Sequence, residues 1–177
     1  RGESGAAASG EVQSRRPPAG GVTDGGCGRV GSALGSRHAG RVGLDISRVA
    51  LSLAADVVDD ARLLRGDLAT LPVCDGGIDA VTAYHAVFHV PRTEHPHVFG
   101  EFARVLRPGG WLLMTLPSGA VDTVREGWMG GRMRFSTFGR QATLDALVEA
   151  GLRIGATPTV TDPLGSTPQM VLATRAS

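Results

Sequence analysis

Asp24-Gly25-Gly26-Cys27-Gly28-Arg29-Val30-Gly31 is the stretch on which the reading of this chain turns. It is a glycine-rich turn with an acid at its front edge, and a second acid, Asp45, follows about twenty residues after Gly26. Glycine carries no Cβ, so backbone N–H groups and a helix N-terminus reach a ligand closely at such a turn. Immediately before it, Gly21-Val22-Thr23 predicts a short strand; after it, Val30, Ala33 and Leu34 predict a weak helical stripe.

Further out, residues 41–45 predict a second strand that ends in Asp45, and Ser47 is a suitable N-cap for a helix through Val49, Ala50, Leu53 and Ala54. Residues 61–64 and 78–83 predict the third and fourth strands, the fourth running into Tyr84-His85-Ala86-Val87-Phe88-His89. Asp79, near the start of that fourth strand, reads as structural rather than catalytic. Val98, Phe99, Phe102, Val105 and Leu106 form a helical stripe that starts near Pro96 and stops at Pro108-Gly109-Gly110. Residues 111–116 are the strongest buried-strand signal, a continuous apolar run. Leu144, Leu147 and Val148 predict a helix closed by Gly151. Residues 154–160 and 169–173 predict two strands whose connection suits an antiparallel hairpin and is too short for a helical crossover.

Strands alternating with helices predict an α/β fold: a three-layer sandwich around a mostly parallel seven-stranded sheet, with a C-terminal antiparallel hairpin. Residues 21–177 form the expected domain. Residues 1–20 hold Gly, Ala, Ser, Arg and Pro with Val12 as the one large aliphatic, which predicts a disordered or loosely attached segment. In such sheets ligands bind beyond the carboxyl ends of the strands, so the glycine turn, Asp45, Asp67 and residues 84–89 are expected on one edge.

Composition removes several function classes. The chain has 177 residues and a net charge of +1, with basic residues scattered rather than clustered, so no footprint for nucleic acid is expected. Every basic residue is Arg, which excludes a phosphate-loop lysine and lysine Schiff-base chemistry. Cys27 and Cys74 are far apart and form no CxxC pair, so reduced thiols and a cytoplasmic location are expected. No apolar run reaches the length of a membrane span, and no signal-peptide core is seen near the N-terminus. The first residue is Arg1 rather than Met, which predicts a start upstream or a processed one. His85, His89, His95 and His97 raise a metal reading, but Pro91 and Pro96 break the segment and no cysteine lies among them; no metal is expected.

Five motifs in order carry a family resemblance: Asp24-x-Gly26-x-Gly28; Leu44-Asp45-Ile46-Ser47; Gly66-Asp67-Leu68-Ala69-Thr70-Leu71-Pro72; Ile78-Asp79-Ala80-Val81; and Phe102-Ala103-Arg104-Val105-Leu106-Arg107-Pro108-Gly109-Gly110-Trp111. Over residues 20–175 or so the chain resembles the class I S-adenosylmethionine-dependent methyltransferases, in their small-molecule, ubiquinone-biosynthesis-like branch. The resemblance implies a Rossmann-like sandwich, S-adenosyl-L-methionine as cofactor, and a small organic methyl acceptor as partner. It implies that Asp24, Gly26, Cys27 and Gly28 hold the methionine end. Asp45 would accept from both ribose hydroxyls with Ile46 beside it, Asp67 and the Leu68 backbone would face the adenine, and Ala83 and Tyr84 would pass beside the sulfonium. His85 and His89 are the candidate bases, since an imidazole titrates near neutrality. Residues 127–136 would cover the acceptor; there Trp128, Met129, Met133 and Phe135 read equally as packing or as substrate contacts, and Arg132 and Arg134 as a solvated pair.

Two other readings stand beside this one. Gly26-x-Gly28-x-x-Gly31 is also spelled as a dinucleotide fingerprint, and with Asp45 it fits an NAD(P)-dependent oxidoreductase. Asp24 before the first glycine opposes a pyrophosphate there. The family pattern also places a glycine two residues after Gly28, where this chain has Val30. A Cβ at a close backbone approach weakens binding unless the loop re-routes, which suits a degenerate methyltransferase fold used as an interaction module. Residues 83–86 carry no Asn-Pro-Pro-type motif and neither cysteine follows proline, which turns the reading away from nucleic-acid bases as acceptors.

Overall fold

The computed structural model describes residues 10–13, 40–59, 61–128, 131–161 and 167–177. Its centre is a seven-stranded sheet of order β3-β2-β1-β4-β5-β9-β8. The strands are β1 (Gly10–Gln13), β2 (Arg41–Asp45), β3 (Ala61–Arg65), β4 (Ile78–Ala83), β5 (Leu106–Leu116), β8 (Leu152–Ala156) and β9 (Gln169–Arg175). Three helices accompany them: α1 (Arg48–Ala55), α2 (His95–Val105) and α3 (Arg140–Glu149). Outside the sheet lies a two-stranded ribbon, β6 (Ala120–Trp128) with β7 (Gly131–Phe138).

The sheet is mixed rather than mostly parallel. β2 pairs with β3, and β4 with β5, in parallel; β1 is antiparallel to both β2 and β4, and β9 to both β5 and β8. The antiparallel hairpin at the C-terminal end is as expected. Gly10–Gln13 fills the slot between β2 and β4, and residues 21–23, read as a strand, lie outside the described residues. A strand in that slot satisfies the open N–H and C=O rows of both neighbours through its backbone, a demand that side-chain composition does not reveal. That is why a segment read as loose takes part in the sheet over these four residues.

Local signals explain most elements. Ser47 caps α1, its Oγ accepting from the Ala50 N–H at 3.3 Å. Pro96 lies in the first turn of α2, where its missing donor costs nothing. Val98, Phe99, Phe102 and Val105 all turn into the core with Leu106, Leu112, Met114, Leu147 and Val171. Gly151 follows α3 at φ +89°, the left-handed geometry that ends a helix most cheaply in glycine. Val148, read as part of the α3 stripe, faces out instead. β5 begins five residues earlier than expected: Arg107-Pro108-Gly109-Gly110 forms an irregular entry between the Leu106–Ile78 and Trp111–Ala80 pairs. Gly110 is required there, because a Cβ would sit 2.9 Å from the Arg107 carbonyl and 3.0 Å from the Asp79 carbonyl. The Asp79 side chain accepts from Arg107 Nε at 2.7 Å, a tie between two strands in keeping with a structural role. Trp111, placed at the start of the buried run, is 48% exposed.

Candidate active site

β2, β3, β4 and β5 point the same way, and one register row crosses them: Leu64, Leu44, Gly10, Ala83, Met114, Val171. One step beyond that row lie Arg65, Asp45, Tyr84 and Thr115, all at the carboxyl edge. Strand spacing sets Asp45 and Tyr84 about 10 Å apart, two strands across. The topology therefore brings Asp45, the turn at residues 67–70 and the segment 84–89 to one edge, as the sequence predicts. Asp24, Gly26, Cys27 and Gly28 lie outside the described residues.

Asp45 is held tightly and, among the described residues, is incompletely satisfied. Its carbonyl accepts from the Gly66 N–H at 3.1 Å, and its Oδ1 accepts from the Ser47 N–H at 2.7 Å. Its Oδ2 is buried and has no hydrogen-bond partner among the described residues. A buried acceptor left without a donor costs about 1–3 kcal/mol, so such an atom is suited to a donor from a ligand. A vicinal diol supplies the matching chemistry, two hydroxyl donors for one carboxylate. Arg65 steadies the neighbourhood by donating from Nε to the Ile46 carbonyl at 3.0 Å, while the Ile46 side chain stands 63% exposed beside the carboxylate. Asp67 closes its own turn, Oδ1 accepting from the Ala69 N–H at 2.9 Å and its carbonyl from the Thr70 N–H at 3.1 Å. Leu68 packs half-buried against the core. Ala83 is core, 1% exposed as a whole residue, so among the described residues it is Tyr84 and His85, one and two steps on, that reach the edge.

After β4 the chain turns sharply. His85 has φ 51°, the only positive φ outside glycine among the described residues. Its N–H donates to Thr115 Oγ1 at 2.9 Å. Left-handed backbone at a non-glycine residue costs of order 1 kcal/mol and persists where surroundings enforce it, often at functional sites. Here the turn throws the His85 ring between Tyr84, at 4.2 Å between centroids, and Phe88, at 5.5 Å. A 3₁₀ turn, Val87–His89, then carries His89, whose Nδ1 is 2.9 Å from the Arg134 carbonyl. A carbonyl only accepts, so Nδ1 donates here, and in the neutral tautomer this selects the lone pair lies on Nε2, where a base needs it.

The ribbon docks on this segment. Phe135 stacks on Phe88 (5.8 Å, 19°) and meets His89 edge-on at 5.3 Å, and the Arg125 guanidinium lies 5.2 Å from the Phe135 ring centroid. The Arg92 N–H donates to Ser136 Oγ at 2.8 Å, and Asp122 binds Arg134 at 2.8 Å and faces Arg92 at 3.8 Å. Of the residues read as packing or substrate contacts, Phe135 thus joins the ring file next to the histidines and Met133 is half-buried. Arg132 and Arg134 are each ion-paired, with Glu126 and Asp122. Sequence reasoning missed Thr115 and the Arg134 carbonyl. Thr115, the one polar residue in the apolar run 111–116, was a usable signal; a backbone acceptor leaves none.

The carboxyl edge on which this α/β sheet gathers a carboxylate, an acid turn and two histidines is where open α/β sheets bind their ligands. Residues 23–114 match the family model described as a methyltransferase domain, and the chain belongs to the class I S-adenosylmethionine-dependent methyltransferases. It is 35% identical over 147 residues to methyltransferase GfsG of Streptomyces halstedii, covering 74% of this chain and 52% of that protein. The chain thus spans about half the length of that curated relative. Two solved structures share the fold. An S-adenosylmethionine-dependent methyltransferase from Methanosarcina mazei has TM-score 0.61 and 16% identity, over 76% of this chain and 81% of that one. One from Mesorhizobium loti has TM-score 0.58 and 18% identity, over 83% and 84%. Among the described residues no group of His, Cys, Asp or Glu is arranged to hold a metal ion, and no helix is long and apolar enough to cross a membrane.

Proposed function

We propose that this chain moves a methyl group from S-adenosyl-L-methionine to a small organic acceptor, in the small-molecule branch of the family. The observation that carries this reading is Asp45 Oδ2, a buried acceptor with no partner among the described residues, at the strand end where a ribose diol fits. A fold kept only for protein contacts gains nothing from that atom. Asp45 takes the ribose hydroxyls, Ile46 covers one side of the adenine, and Asp67 with Leu68 limits it at the edge. Asp24, Gly26, Cys27 and Gly28 are assigned to the methionine end from the family pattern alone.

The bound cofactor supplies an activated methyl on a sulfonium, so the protein's task is placement and exclusion of water. Tyr84 and His85 form the wall beside the methyl, backed by Ala83 in the core. His89, with Nδ1 anchored on Arg134, presents Nε2 as the base for an acceptor that must lose a proton; His85 is the second candidate. The ring file from Tyr84 through Phe88 to Phe135 gives the acceptor an apolar, π-rich wall under the ribbon. Calorimetric titration with S-adenosylmethionine and S-adenosylhomocysteine tests the reading. Binding of both is expected; folded chain giving no heat with either at near-millimolar ligand would sink it, and binding of NADH instead would restore the oxidoreductase.

A further inference from the structure

His95 opens α2 with a side chain that the methyl-transfer assignment does not use. It is 3% exposed, unusual for a histidine in the first turn of a helix. Its Nε2 lies 3.1 Å from the Val90 carbonyl, so Nε2 carries the proton. Val90 ends the turn that bears His89, and its own N–H goes to the Val87 carbonyl at 3.0 Å. The ring packs on Phe99 of the core at 5.8 Å and stands edge-on to Phe138, the last residue of β7, at 6.3 Å and 86°. A single imidazole therefore touches the turn that bears His89, the core helix and the end of the ribbon.

We propose that His95 is a positioning residue whose neutral imidazole holds the 87–90 turn and the ribbon closed over the carboxyl edge, and whose protonation lets them part. Several charged groups surround it. Glu94, next in the chain, attracts an imidazolium but is exposed to solvent. Arg92 sits 5.4 Å from the Phe138 ring centroid and opposes a second cation. Asp122, the ribbon's acid on this side, is already engaged by Arg92 and Arg134. His89 on the turn is tied to the Arg134 carbonyl, and His97, further along α2, is exposed. Burial, the largest influence, holds His95 below its ordinary pKa of 6.5, against the backbone at Val90 and Val87 and the charge of Glu94. A depressed histidine pKa means the open form binds the proton first. The closure is then fully present above about pH 6.5 and is lost as pH falls from there toward the closed-state value.

The catalytic consequence rests on the methyltransferase reading, but the latch is measurable without it. Hydrogen exchange of the whole chain, corrected for intrinsic rates, is compared at about pH 7.5 and about pH 5.5. Peptides over 87–90 and 131–138 are expected to lose protection by about tenfold per pH unit below 6.5 until the closed-state value is reached, at protection levels below those of β5 and β9, which exchange through the costlier global opening. His95→Gln keeps a donor for Val90 and does not titrate, so it should abolish that pH dependence; His97→Gln should retain it. Equal pH dependence in His95→Gln, or none in the parent chain, overturns the proposal. If His95→Gln fails to fold, titration of the His95 ring by NMR in the parent decides, since a ring titrating at or above the ordinary value refutes it. S-adenosylhomocysteine titration run in parallel separates the two ideas: a chain that binds none yet opens with acid has the latch without the proposed chemistry.

Discussion

The substitution Asp45→Asn separates a ligand-binding carboxylate from a structural one. The amide oxygen of the new side chain can still accept from the Ser47 N–H, the bond that Oδ1 makes at 2.7 Å. What changes is the orphaned Oδ2, which becomes a donor facing where hydroxyl donors are expected. Losing one charge-assisted hydrogen bond removes about 2 kcal/mol, or roughly thirtyfold in Kd for S-adenosylhomocysteine. The protein without ligand should change little, because the amide nitrogen is as unpartnered as the oxygen it replaces, and Tm should stay within about 2–4 °C of the parent. Calorimetry gives the affinity and a melt without ligand gives the stability. An affinity within about twofold of the parent refutes the ribose assignment. Weakened binding together with a Tm several degrees lower refutes it too, because Asp45 would then be serving the fold.

Other outcomes follow from packing and charge. Arg104 donates to Glu101, Asp75 and the carbonyls of Leu71 and Val73, so Arg104→Gln should cost about 2 kcal/mol in urea unfolding by leaving those acceptors short of donors. The hydrogen bond from Arg104 is also the main cause that holds the Glu101 carboxyl below its ordinary 4.5; the stability it gives is whole above about that pH and fades as pH falls through the native value, so Glu101→Gln should flatten the acid limb of stability against pH. Phe102→Ala, at a position 1% exposed in the core, should cost about 3–5 kcal/mol in chemical unfolding. Gly139 joins the ribbon to α3 at φ +91°, where a Cβ would lie 3.0 Å from the Ala120 nitrogen; Gly139→Ala should lower stability by about 1–3 kcal/mol on melting while leaving cofactor affinity in place.

What could be read beforehand was whatever side-chain pattern dictates. The stripe Val98, Phe99, Phe102, Val105 placed α2 because period and burial coincide there, and Asp45 and Asp67 could be put on one edge because strand–helix alternation fixes which ends share a side. β1 escaped because a four-residue strand in an interior slot is held by two backbone ladders, with register pairs from Gly10–Leu44 and Gly10–Ala83 to Gln13–Arg41 and Gln13–Ala80. Its composition resembled a tail. The early start of β5 was hidden by Pro108-Gly109-Gly110, which spells a turn and is in fact an irregular strand entry.

The ribbon shows the same limit where it matters for function. Residues 120–127 of β6 are all exposed, so no alternation of apolar and polar residues announces a strand. Its partner β7 contributes buried Ser136 and Thr137, polar residues whose burial is no sequence signal. What fastens the pair to the turn bearing His89 is a backbone carbonyl at Arg134, a hydroxyl at Ser136 and the faces of Phe135 and Phe138. Each is a directional contact of modest strength rather than burial of a large apolar surface. An element held this way opens at lower cost than the sheet beneath it. Under the proposed function the ribbon is a cover that admits an acceptor and releases a product, which needs that property, and a well-buried strand, easier to foresee, could not supply it.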